Sequence, residues 1–442
     1  MHRTKYIGKG DFVYRDEIPI IIEKSHHSIL INSHKQTIID MEASNGTSIL
    51  GYDQNILHEA INEFKDFNGA PCFVETELRL NYTMELNKEI YKRTNLTGKI
   101  AFENSGAGAI ELAIRIARKN GYNGALIVFA GAYHGRTAFT GHLGSSRRYR
   151  DFNIPSPELI RIPSFLMAFE KDTYSNIPNN TEYSSHELLQ KTIKWLSNEI
   201  EGHGIKDILP KGGIFIFEGI QNVSGMRPLD KNYLDGLIEY LKDNNTCIIA
   251  DEIFTGFFRT GTMFYTTNLN QNSDIIVFSK GLTNGLVPLS ALWGKEELMN
   301  KEVFPPGSYS STYLNYPFGF AVALRVLTQI QSLSTNNSIN SNLAKVIEEY
   351  WSNQEFQNCK SIYVCGNVAR ISLYQDNAKS IAKKLLPQFN RIHKESAMGI
   401  LVATTGLTNN AINIHPAFNI EENILKIAFQ KIILEINNSL KE

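Results

Sequence analysis

Long hydrophobic runs are absent from this 442-residue chain: no uninterrupted apolar stretch approaches the roughly 18 residues that a membrane-spanning helix needs. The amino terminus, Met1-His-Arg-Thr-Lys-Tyr6, lacks the apolar core of a secretory signal, so the expectation is a soluble, cytoplasmic protein. No excess of charge of one sign is present either. With 44 Lys and Arg against 45 Asp and Glu, the formal net charge is −1, and no global field recruits nucleic acid or an anionic membrane. The one basic cluster, Arg147-Arg148-Tyr149-Arg150, reads as a solvated surface face. Cysteine is scarce as well. Cys72, Cys247, Cys359 and Cys365 have no metal-ligand spacing, which leaves no case for a bound metal, and they read as reduced thiols of a cytosolic protein. Low-complexity segments and repeats of fixed period are also missing.

What the chain does have is alternation. From about Glu63 to Tyr309, short β-branched runs alternate with amphipathic helices, as at Tyr233 to Leu241, where Leu234, Leu237, Ile238 and Leu241 share one side. This pattern argues for an α/β protein with a mostly parallel sheet covered on both faces. Before it, short strands surround Asn32 to Asp40. The polar stretch Lys171 to Ser185 reads as a surface loop or insertion. After Thr312 a helix through Val322 to Leu327 leads into a carboxyl-terminal α+β unit, with strands expected at Val368–Tyr374 and Gly399–Thr404 and a closing helix from Glu421 to Leu440.

Three of the short runs end in residues that carry chemistry. Gly213-Ile-Phe-Ile-Phe217 is followed by Glu218, Thr246-Cys-Ile-Ile-Ala250 by Asp251-Glu252, and Ser273-Asp-Ile-Ile-Val-Phe-Ser279 by Lys280-Gly281. Ligands bind beyond the carboxyl ends of parallel strands, so Glu218, Asp251 and Lys280 are expected to share one cleft. A lysine beside a buried acid points to pyridoxal phosphate, which needs an amine to hold its aldehyde as a Schiff base and a carboxylate to keep its ring nitrogen protonated. A lysine of this kind alone is usually a solvated strand end, and Asp251-Glu252 also reads as a helix N-cap with acids in the first turn.

At this point the chain resembles the class III aminotransferases of fold type I. The matching segments are Phe102-Glu-Asn-Ser-Gly-Ala-Gly-Ala-Ile-Glu-Leu-Ala-Ile-Arg-Ile-Ala-Arg118, Gly131-Ala-Tyr-His-Gly-Arg-Thr137, Phe217-Glu-Gly-Ile-Gln221, Ile249-Ala-Asp-Glu-Ile-Phe-Thr-Gly-Phe-Phe-Arg-Thr-Gly261, Ser279-Lys-Gly-Leu-Thr-Asn-Gly285 and Ser310-Ser-Thr-Tyr313. They occur in the family's order and at family-like separations. The resemblance implies a mostly parallel seven-stranded sheet in a large domain, residues 63–312, with a smaller α+β domain built from both chain ends, residues 1–62 and 313–442.

The roles it implies are specific. Lys280 carries the cofactor and, once released, moves a proton between the substrate carbon and the cofactor; Asp251 holds the ring nitrogen charged. Ser105, Gly106 and Ala107, which open a helix with Ile110, Ala113, Ile114 and Ala117 on its apolar side, receive the phosphate on backbone N–H groups. Tyr133 stacks on one ring face and Ile253 packs on the other, while Gly135 makes room. His134, Glu218 and Gln221 complete the contacts, and Thr312 reaches the phosphate across a homodimer interface. A ping-pong amino transfer between a small-molecule amine donor and a carbonyl acceptor follows. An isomerase on the same scaffold and a non-catalytic relative are the alternatives.

Departures from the family pattern bear on substrate choice. Val223 stands where some members carry an acid that gates a substrate-binding arginine, and Asn413, in Asn413-Ile-His415-Pro416-Ala417-Phe418, stands where several keep that arginine. Phe254 replaces a polar residue near the cofactor. A guanidinium fork gives a carboxylate both charge and planar geometry, so its loss implies a more apolar pocket and an unusual amine, or carboxylate recognition moved to Arg259 or Arg136. The loop Gly281-Leu-Thr-Asn-Gly-Leu-Val-Pro-Leu-Ser290 resembles that of ω-aminotransferases, which implies a primary amine distant from any carboxylate.

Overall fold

The computed structural model of the chain describes residues 20–65, 69–145, 159–162, 174–175, 185–202, 212–269, 273–335, 341–387, 398–405 and 409–439. The amino-terminal six residues, the basic cluster Arg147–Arg150 and most of the stretch Lys171–Ser185 lie outside these.

A seven-stranded sheet organises the molecule, in the spatial order Lys99–Glu103, Ser290–Gly294, Ile275–Phe278, Thr246–Asp251, Gly213–Phe217, Leu126–Phe129 and Leu159–Ile162. Ser290–Gly294 runs antiparallel to both of its neighbours; the remaining pairings are parallel. The central runs are buried along their whole length, as strands covered on both faces must be. Their side chains divide strictly by alternation. Phe215, Phe217, Ile248, Ala250, Ile276 and Phe278 enter one core. Ile214, Ile216, Cys247, Ile249, Ile275 and Val277 enter the other, against Ala109, Ile110, Leu112 and Ala113 of the helix Gly106–Lys119. Opposite, the helices Lys231–Asp243 and Pro317–Thr335 cover the sheet with Leu234, Leu237, Phe320 and Val326. Asp230 sets the start of the first by accepting the Tyr233 N–H (2.9 Å).

Two smaller sheets use both ends of the chain. Ile22–His26, Ile29–Asn32 and Thr37–Asp40 form a meander, to which Gly399–Leu401 adds in parallel. Ala403–Thr405, Ala411–Ile414, Val368–Leu373, Cys359–Cys365 and Tyr174–Ser175 form a five-stranded antiparallel sheet. The single strand expected over Gly399–Thr404 is therefore two strands that part at Val402 and serve different sheets, a bend that apolar patterning does not encode. Within the polar stretch expected as surface loop, Tyr174–Ser175 is an edge strand. The helix Glu422–Asn438 closes this unit with Leu425, Phe429, Ile432 and Ile436.

Candidate active site

The carboxyl ends of the central strands deliver the titratable groups. Asp251 is the last residue of its strand and is buried; turns follow it, so the helix N-cap reading does not hold. Its Oδ1 accepts the Ile253 N–H (3.1 Å), and its Oδ2 lies 2.7 Å from Nδ1 of His134, which arrives from the loop after Leu126–Phe129. Glu218, just past Gly213–Phe217, accepts the Tyr133 N–H on Oε1 (2.9 Å). One ligating atom each of His134, Glu218 and Asp251 falls within 4.8 Å of the others.

Burial decides the charges here. It pushes the Glu218 carboxyl well up, helped by the charge of Asp251 and opposed by His134, so Glu218 holds its proton near neutrality. Burial also works against a charged His134, but the hydrogen bond to Asp251 and the charge beside it outweigh it and raise the imidazole above its ordinary value. Three polar atoms of this group, His134 Nε2, Glu218 Oε2 and Gln221 Oε1, are buried without a hydrogen-bond partner among the described residues.

Lys280 sits in the short connection between the parallel strand Ile275–Phe278 and its antiparallel neighbour Ser290–Gly294. A 3-10 turn, Lys280–Thr283, begins there, and Lys280 itself has φ +40°, a conformation a non-glycine residue holds only where its surroundings enforce it. Asn284 supplies part of that enforcement: its side chain accepts the Leu50 N–H (2.8 Å) and donates to the Gly51 carbonyl (2.7 Å), tying the lysine turn to the amino-terminal segment. Lys280 Nζ lies 4.7 Å from the centroid of the Phe254 ring. Burial lowers the amine to about 8; Asp251 pulls it upward and Arg259 pushes it further down.

The helix Gly106–Lys119 points its start at the same region, capped by Ser105 Oγ, which accepts the Gly108 N–H (3.1 Å). A Cβ on Gly106 would stand 2.9 Å from Ile253 Cδ1, and one on Gly135, at φ +140°, would stand 2.6 Å from Ala107 Cβ. These two glycines thus let Ser105–Ala107, Tyr133–Gly135 and Ile253 close on one another. A positive helix end, a half-buried lysine amine and unpartnered buried polar atoms around a carboxylate fit the phosphate, aldehyde and ring nitrogen of pyridoxal phosphate.

Not every expected residue gathers there. Thr312 is exposed in a turn whose Ser311 accepts from Asn104 Nδ2 (2.8 Å), beside the helix start. Arg259 cannot receive a substrate carboxylate: it is fully buried, and its fork donates to the carbonyls of His415 (3.0 Å), Pro416 (2.7 Å) and Gly46 (3.1 Å). That expectation fails because sequence does not reveal that the fork is consumed by backbone. Arg136 is exposed, with its guanidinium 5.9 Å from the Tyr133 ring centroid. Asn413 is fully buried and donates to Thr405 Oγ1. His415, a residue with no role expected from sequence, lies edge-on to Phe254 at 5.3 Å; burial and the charges of Arg259 and Lys280 drive it far below its ordinary value, so it stays neutral. A histidine two residues after Asn413 and just before a proline was the available signal.

The model of the family described as aminotransferase class-III matches residues 13–436. Among curated proteins, a probable 4-aminobutyrate aminotransferase of Bacillus subtilis is 28% identical, covering 74% of this chain and 72% of that one. An ornithine aminotransferase of Brevibacillus brevis is 27% identical, covering 70% of each. The adenosylmethionine-8-amino-7-oxononanoate aminotransferase of Aquifex aeolicus is 25% identical, covering 83% and 81%. Two solved structures share the fold: an ornithine aminotransferase from Toxoplasma gondii ME49 (TM-score 0.79, 19% identity, 100% of this chain and 94% of that one) and an aminotransferase from Vibrio fluvialis in its PMP-bound form (TM-score 0.79, 16% identity, 96% and 93%).

Proposed function

This chain belongs to the class III aminotransferases, fold type I enzymes that move amino groups with pyridoxal phosphate, and we propose that Lys280 holds the cofactor and Asp251 its ring nitrogen. The observation that carries this assignment is the convergence of half-buried Lys280, its amine lowered to about 8, with the buried Asp251–His134–Glu218 group at adjacent strand ends. When bound, pyridoxal phosphate supplies an aldehyde for the amine and a cationic ring that withdraws electrons from the carbon being deprotonated.

The chain's own groups do the rest. With its pKa near 8, Lys280 Nζ both accepts and returns a proton near neutral pH. His134 Nδ1, donating to Asp251 Oδ2, holds that side chain aimed; neutral Glu218 can donate from Oε2. Ser105, Gly106 and Ala107 would hold the phosphate, with Thr312 of a second copy completing that site, and Tyr133, Gly135, Gln221 and Ile253 would hold the ring. For the amino donor we favour a primary amine remote from any carboxylate. Phe254 beside Lys280, neutral His415 and the asparagine at 413 give that side no cation for a donor carboxylate. The acceptor is a keto acid.

Mixing the holoenzyme with a panel of amines tests the donor. Carboxylate-free primary amines should shift the visible band in a single turnover with stoichiometric carbonyl release; strong activity confined to ornithine or 4-aminobutyrate would contradict the donor class.

A homodimer is part of the proposal. Leu80, Met84 and Tyr91 project exposed from one side of the helix Glu77–Thr94, and Phe73, Tyr313 and Tyr316 are exposed apolar residues too, the last two flanking the Thr312 turn. Sedimentation should give a dimer that Met84→Glu weakens; a fully active monomeric wild type would refute it. Among the described residues no helix is long and apolar enough to cross a membrane; the four cysteines form no disulfide with one another, which supports a cytoplasmic location, open to check by cell fractionation.

A further inference from the structure

We infer that Glu103 and Asn104 are positioning residues that act on the partner subunit: they fix the turn carrying Thr312, the residue that one subunit presents to the phosphate site of the other. The inference rests on the proposed cofactor site and on its completion by Thr312 of a second copy. Both residues stand where the strand Lys99–Glu103 passes into the start of the helix Gly106–Lys119.

The turn is held through two side-chain bonds. Glu103 Oε1 accepts the Tyr309 hydroxyl, and Asn104 Nδ2 donates to Ser311 Oγ (2.8 Å). Bonds at positions two residues apart fix both where a segment lies and how it is rotated, and Thr312 is the next residue. Thr312 is exposed, as are Tyr313 and Tyr316 on either side of the turn's end. The turn is thus anchored through Tyr309 and Ser311 while its Thr312 hydroxyl stays open to a second molecule.

The anchor is itself braced. Glu103 Oε2 accepts the N–H groups of Asn104 and of Ser105 (3.2 Å). Ser105 is in turn tied to the sheet by Ser290, whose hydroxyl donates to its carbonyl (2.8 Å), and to the helix by the Gly108 N–H that its own Oγ accepts (3.1 Å). Gly108 leaves room for the carboxylate, since a Cβ there would stand 2.7 Å from Glu103 Oε2. An ionised acceptor makes the bond from Tyr309 a strong one. Burial and that same carboxylate push the Tyr309 phenol above its ordinary value, so it remains a donor. One carboxylate therefore joins the subunit's own phosphate-binding helix start to the turn it presents to its partner, and in a twofold dimer each site depends on the other chain's brace.

Mixed dimers test this. Tyr309→Phe with Ser311→Ala removes both bonds and leaves Thr312 and the helix start in place; each single variant is measured beside the pair. In the homodimer of the double variant, pyridoxal phosphate should dissociate about 10-fold faster or more, while the affinity for pyridoxal, which lacks the phosphate, should change little. Lys280→Ala then selects the site being read, because a chain carrying it gives no visible band. With Lys280→Ala and both turn substitutions on one chain, the wild-type partner's site should lose its cofactor at the fast rate. With Lys280→Ala on one chain and the turn substitutions on the other, the remaining site should lose it at the wild-type rate. Fast loss that follows the chain carrying the turn substitutions, equal weakening of pyridoxal, or a wild-type rate in the homodimer would overturn the inference. Two controls separate its failure from that of its premises. A wild type without a visible band would strike the cofactor site, and a Thr312→Ala mixed dimer without loss at the partner's site would strike the shared phosphate site, each taking this inference with it.

Discussion

Lys280→Ala is expected to lower turnover by about 1,000-fold or more and to abolish the visible absorption that the holoenzyme shows. Both effects follow from one amine doing two things. As a nucleophile it must be unprotonated, and burial brings its pKa down to about 8, so a sizeable fraction is the free base near neutrality. As a base it must accept a proton from carbon and give it back, which is easiest when its pKa lies near the working pH. The sign of the pH dependence is then fixed. Below about 8 the amine carries a proton and no lone pair, so covalent capture of added pyridoxal phosphate by the apo protein should slow as pH falls and level off above 8. Stopped-flow absorbance across pH checks the profile. A Lys280→Ala protein that keeps the band and turns over at wild-type rate would remove the basis of the site assignment.

Arg259→Met should destabilise the fold by about 3–5 kcal/mol, the scale of an interrupted buried charge network. The guanidinium is fully buried, its charge is disfavoured by that burial enough to bring its pKa to about 9, and Asp40 is the charge that draws it back up. What holds it is the set of three carbonyl acceptors, on Gly46, His415 and Pro416, together with the face of Phe418 at 5.3 Å. Those carbonyls belong to the amino-terminal segment and to the carboxyl-terminal unit, while Arg259 lies just beyond the strand that ends in Asp251. One side chain thus joins three parts of the chain around the Lys280 turn. A methionine of similar length would fill the volume and leave three acceptors unpaired in a dry interior. Chemical denaturation should show a large fall in midpoint with little change in slope; a shift worth less than about 1 kcal/mol would mean that water or rearranged backbone satisfies those carbonyls.

The sequence made the central strands of the large sheet legible because they are continuous apolar runs with nowhere to go but between two layers, and because chemistry-bearing residues follow them at once. Glu218 and Asp251 are brought into one cluster, and Lys280 into a buried turn beside them whose pKa they influence, for that reason. Asp251 was ambiguous by sequence since Asp-Glu also starts helices; the turns after it resolve the choice. Arg259 misleads because a Phe-Phe-Arg-Thr-Gly segment says nothing about where a fork points, and only the fold reveals the backbone carbonyls around it. The break at Val402 was unreadable since a strand that changes sheets keeps its apolar alternation through the bend.

The central claim is that the side chain of residue 280 carries the cofactor, and borohydride reduction of the holoenzyme followed by peptide mass mapping tests it most directly. The account predicts a single pyridoxyl-phosphate adduct on the peptide containing Lys280, absent when a carboxylate-free amine is added before the reductant. An adduct on any other lysine, or none on a protein that retains its visible band, would contradict it.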